Sequence, residues 1–159
     1  MIQTSDEFNN NLKHMSYICF RSDNGADDGW AWDPSLTFTR QGNDIVVNAE
    51  GWTVNYLGLE KTFTVENKWN ELVDDLAGIN MGSWESKYDS ERRFLGGWSW
   101  DVTIRYDNHL PEWKCSGYLN SPDNFEGLAR LMKRFGYYRE NRECAVQSLR
   151  MLMELPPEV

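Results

Sequence analysis

The sequence predicts an α+β fold: an antiparallel β-sheet with helices packed on one face, arranged as two hairpin-plus-helix units. Three observations carry this expectation. Trp98, Trp100, Val102, Ile104 and Tyr106 alternate with Ser99, Asp101, Thr103 and Arg105, the period of a half-buried antiparallel strand. Trp69, Leu72, Val73 and Leu76 fall at i, i+3, i+4 and i+7, the stripe of an amphipathic helix. The run Gly29-Trp30-Ala31-Trp32-Asp33 returns as Gly97-Trp98-Ser99-Trp100-Asp101 sixty-eight residues later, and self-similarity at a fixed offset suggests a duplicated structural unit.

The first unit opens with a short strand, Tyr17 to Arg21, followed by a solvated loop from Ser22 to Gly29 whose small and acidic residues punctuate the chain. Strands from Trp30 to Arg40 and from Asp44 to Ala49 flank Gln41-Gly42-Asn43, a hairpin connection in which Gly42 or Asn43 can take positive φ. Pro34 lacks a ladder donor, so its segment reads as an edge or bulged strand near Trp32-Asp33. Trp52 to Tyr56 alternates again, and Phe63 with Val65 either extends the sheet or leads into the Trp69 to Leu76 helix, which Gly78 ends.

In the second unit the Trp98 to Tyr106 strand turns at Asp107-Asn108-His109 and returns from Trp113 to Leu119. Ser121-Pro122 reads as a helix start, because serine caps free backbone donors and proline at the first helical position loses nothing it needed. Phe125, Leu128, Met132 and Phe135 form that helix's buried stripe, ended by Gly136. A last helix is expected from about Arg139 to Met153, with Ala145, Val146, Leu149 and Leu152 inward and Pro156-Pro157 as terminator. A hairpin alone exposes an apolar surface it cannot bury, so helices must cover one face of the sheet. The whole chain, 1–159, reads as a single domain with sub-units at 17–79 and 80–136.

Composition narrows the function classes. The 159 residues are 40% hydrophobic and 14% aromatic, enough for a full core. The N-terminal Met1 to Glu7 lacks the basic start and apolar centre of a secretory signal, and no apolar run is long enough to cross a membrane; a cytoplasmic protein is expected. Cys19, Cys115 and Cys144 are odd in number and far apart, which suits reduced thiols packed as small hydrophobes. With no Cys-x-x-Cys pair and only His14 and His109, a zinc site is not expected. A formal net charge of −9 repels phosphate backbones and anionic membranes, which disfavours direct nucleic-acid binding. The charge is uneven: residues 1–129 carry 10 basic and 21 acidic side chains, whereas 130–150 carry 6 basic and 2 acidic. Arg130, Lys133, Arg134, Arg139 and Arg142 there read as offsetting helix dipoles in preference to meeting an anionic partner.

Trp84, Tyr88, Gly97, Trp98, Trp100, Ile104, Tyr106, Ser116-Gly117, Pro122 and Asn124-Phe125 together resemble the C-terminal pattern of small, largely uncharacterised bacterial and phage-borne domains. In these a tryptophan-led strand, a tyrosine-ended hairpin and a Pro-x-Asn-Phe helix start follow one another. The resemblance covers about residues 79–135. It departs at Gly96-Gly97, where Asp-Gly is common, and at Asp107-Asn108 in place of a glycine turn. It implies an α+β domain and no activity, and it carries over no catalytic residue.

Residue chemistry does not state a reaction. His109 sits in a polar turn with no nucleophile at motif spacing and reads as surface. Asp33 and Asp101 follow their Trp-x-Trp motifs in equivalent places and would make an acid/base pair if their strands met, but equivalent places in a repeated hairpin point to shared folding roles. Asp23, Asp27 and Asp28 do not follow the ligand order of a twelve-residue calcium loop, and Gly96-Gly97 precedes a strand, which does not make a phosphate loop. No catalytic residue, metal or cofactor is therefore expected.

The eight tryptophans divide by neighbourhood. Trp69, Trp98 and Trp100 fit apolar stripes and read as core. Trp30 and Trp32 follow the acidic loop, so with Asp23, Asp27, Asp28 and Asp33 they combine an aromatic anchor with negative charge, which suits a basic protein surface. The expected function is a non-enzymatic, acidic protein-binding module of the inhibitor or immunity type, blocking a cationic and often nucleic-acid-binding surface of a partner. Phage anti-defence proteins and toxin-neutralising immunity proteins are the analogy. The alternative is a small-ligand or carbohydrate binder using exposed tryptophan; an enzyme of unrecognised type ranks last.

Overall fold

Alternation along each apolar run sends every second side chain to one side, and the runs assemble into one sheet. The computed structural model describes residues 5–23, 35–50, 62–89 and 99–136. Among them, helix α1 (Ser5–Asn11) passes through a 3₁₀ turn (Leu12–His14) into β1 (Met15–Asp23). There follow β2 (Ser35–Gln41), β3 (Asp44–Glu50), β4 (Thr62–Val65), α2 (Trp69–Ala77), a second 3₁₀ turn (Met81–Ser83), β5 (Lys87–Asp89), β6 (Ser99–Tyr106), β7 (Trp113–Tyr118) and α3 (Phe125–Gly136). The strands form a seven-stranded sheet in the order β4-β3-β2-β1-β6-β7-β5. Each pairing is antiparallel apart from β5 with β7, which is parallel. The α+β class expected from the sequence is the one observed.

Register aligns the apolar positions into rows on the inner face. Phe63, Val47, Phe38, Ile18, Ile104 and Trp113 lie side by side, as do Ala49, Leu36, Phe20, Val102 and Cys115 in the next row. The helices cover this face. Phe125 of α3 packs on Phe20 and Trp100 at 5.9 and 4.5 Å between ring centroids, Phe135 on Phe38 at 6.4 Å, and Phe8 of α1 on Trp113 at 5.1 Å. Trp69, Leu72 and Leu76 of α2 and Leu128 and Met132 of α3 are buried in the same core. Each such side chain contributes about 1.5–3 kcal/mol by leaving water.

The Gly42-Asn43 turn between β2 and β3 is two residues long, with Gly42 at φ +63°, the left-handed geometry that a twisted hairpin needs and glycine supplies without strain. Asn43 also caps a helix, since its backbone carbonyl accepts from the Trp69 amide at 2.9 Å and its side-chain oxygen from the Asn70 amide at 3.0 Å. A turn distant in sequence thus satisfies the orphan donors at the start of α2, whose own N-cap, Lys68, makes no side-chain cap bond.

Two local expectations are corrected. β1 runs on through Ser22 and Asp23, paired opposite Trp100 and Ser99, because β6 extends far enough to hold them in the ladder. α3 begins at Phe125 and not at Ser121-Pro122: Pro122 accepts from the Phe125 amide across a turn, and Asn124 at φ +64° breaks helical continuity. Gly78 ends α2 as expected, in a right-handed conformation, and Asn80 two residues on is left-handed, at φ +66°. The first motif copy, Gly29–Asp33, the Trp52–Tyr56 strand, Trp98 and the 139–153 helix lie outside the described residues.

Candidate functional site

The face opposite the helices starts from the alternate positions of the same strands. A bulge at Ser16, where the β1–β6 register shifts between Met15 and Tyr17, puts Met15 and Ile18 inward and turns Tyr17, Cys19 and Arg21 outward. Register places Tyr17 between Thr39 and Arg105, Cys19 between Thr37 and Thr103, and Arg21 between Ser35 and Asp101. These residues meet at the centre of the seven strands.

Their contacts fix them. The Arg105 guanidinium lies over the Tyr17 ring, 4.6 Å from its centroid, a cation–π arrangement. Its Nε donates to Glu112 at 2.7 Å, and Lys114 reaches the other carboxylate oxygen at 3.1 Å. Arg21 Nε donates to Asp101 at 3.1 Å, and the Thr37 hydroxyl donates to the Cys19 sulfur at 3.6 Å. The bond to Asp101 raises the Arg21 guanidinium's pKa, and that from Arg105 holds the Glu112 carboxyl below its usual range. Burial, then the adjoining Cys19, pushes the Tyr17 phenol up. The patch sets Arg21, Arg105 and Lys114 against Asp101 and Glu112, a small positive excess in a chain of net charge −9.

A second feature lies where β7 runs into α3. The Trp100 indole donates to the Asn120 carbonyl at 2.8 Å and the Trp84 indole to that of Asp123 at 3.1 Å. Two non-glycine residues bracket this turn in left-handed geometry, Leu119 at φ +55° and Asn124 at +64°. Above it is an open concavity of about 380 Å³, lined among others by Pro122, Asn124, Phe125 and Arg130.

Of the residues expected to meet a partner, Asp23 ends β1 opposite Ser99; Asp27, Asp28, Trp30, Trp32 and Asp33 lie outside the described residues. Asp101 is ion-paired to Arg21, and its supposed partner Asp33 is not described. His109 is exposed. Cys19 and Cys115 are buried free thiols, with the Cys115 thiol donating to the Glu85 carbonyl at 3.0 Å. Arg134 pairs with Asp75 of α2 and so ties two helices together. Tyr17, Cys19 and Arg105 do not stand out as a group in the sequence, although the alternation of Tyr17-Ile18-Cys19-Phe20-Arg21 carries the signal.

Among the described residues no group of three His, Cys, Asp or Glu side chains is placed to hold a metal, and no helix is long and apolar enough to cross a membrane. Comparison with known protein families, curated proteins and solved structures finds no match.

Proposed function

We propose that this chain is a non-enzymatic protein-binding module of the inhibitor or immunity type, and that its sheet's outer face, together with the acidic residues Asp23, Asp27 and Asp28, occupies a basic surface of a partner protein in the cytoplasm. The observation that carries the reading is the Tyr17–Arg105 stack at the centre of a broad sheet face, held by the Arg105–Glu112 ion pair, with the Arg21–Asp101 pair beside it on the same face. Tyrosine and arginine are the side chains that anchor protein interfaces, and a broad face suits a protein better than a small ligand, which favours an enclosing cleft.

Charge supplies the direction of attraction. A net −9 chain is steered toward cationic surfaces, while the pairing of Arg21 with Asp101 and of Arg105 with Glu112 limits the unpaired charge that the centre would bury. Asp23 and Ser35, which flank the acidic stretch in sequence, close neighbouring strands of this face. The carbohydrate reading draws no support from the described tryptophans: Trp69, Trp84 and Trp100 are buried, and Trp113 packs on Phe8.

Affinity capture from host lysate with the tagged chain, followed by calorimetry on the purified partner, tests the reading. A basic protein should be retained, with affinity falling about tenfold or more as salt rises from about 0.05 to 0.5 M. The double variant Asp27→Asn/Asp28→Asn should bind more weakly. Failure to retain any basic protein would refute the reading, and unaltered affinity in the double variant would remove the acidic stretch from it.

A further inference from the structure

We draw no further inference here: the strongest candidate, the open concavity where the Asn120–Asn124 turn meets the first turn of α3, rests on a helix N-terminus and a strained turn, and no second observation in the structure points to a ligand there.

Discussion

Gly117 shows how much one absent methyl group decides. A Cβ built there would stand 2.4 Å from Trp100 Nε1 and 2.5 Å from the Asn120 carbonyl oxygen. The indole could not then reach that carbonyl without moving the backbone. Gly117→Ala should therefore cost about 2–4 kcal/mol, read as a lower urea midpoint at unchanged slope. Tyr106 behaves oppositely. Its hydroxyl is buried with no hydrogen-bond partner, so Tyr106→Phe should stabilise the fold by about 1 kcal/mol. Burial pushes the Tyr106 phenol and the Cys115 thiol each up to about 12, from ordinary values of 10.0 and 9.0. Between those limits the folded chain keeps protons that the unfolded chain releases, so stability must fall as pH rises above about 9. Denaturation at a series of alkaline pH values should show that decline, shallower in both Tyr106→Phe and Cys115→Ala; an unchanged slope in either variant would contradict the burial account for that group.

At the scale of elements, what was legible followed local periodicity. The β6 alternation and the α2 and α3 stripes were visible because period 2 and period 3.6 are written in adjacent residues. Helix α1 went unread, although Phe8 and Leu12, one turn apart, are both fully buried; seven residues make too short a stripe to stand out. The start of α3 was misplaced because serine before proline is a common cap signal, and the left-handed Asn124 that overrides it depends on tertiary fit, including its side-chain bond to the Ile79 carbonyl at 3.4 Å. The capping of α2 by Asn43 was not legible, since it joins groups 26 and 27 residues apart through the hairpin turn. Asn43→Ala should cost about 1–2 kcal/mol, seen in thermal melts, and should raise amide exchange most in the first turn of α2. Exchange that rises equally throughout the helix would argue against a capping role.

At the scale of the whole molecule, strand order was the part least available to sequence reading, because loop closure permits many pairings and only the packed core selects among them. β1 lies at the centre, flanked by β2 and β6, so the β2–β3 and β6–β7 hairpins become one sheet with a shared helix layer. That layer consumes one face, and the proposed recognition uses the other. Adjacent residues of β6 separate the two roles. Val102 is fully buried against the helices, whereas Thr103 lies in the outer row beside Cys19. Val102→Arg should abolish folding. The direct test is the affinity of Thr103→Arg for the captured partner. Thr103→Arg should melt within about 3 °C of the parent and bind at least about tenfold more weakly; a folded variant that binds with full affinity would rule out recognition through this face.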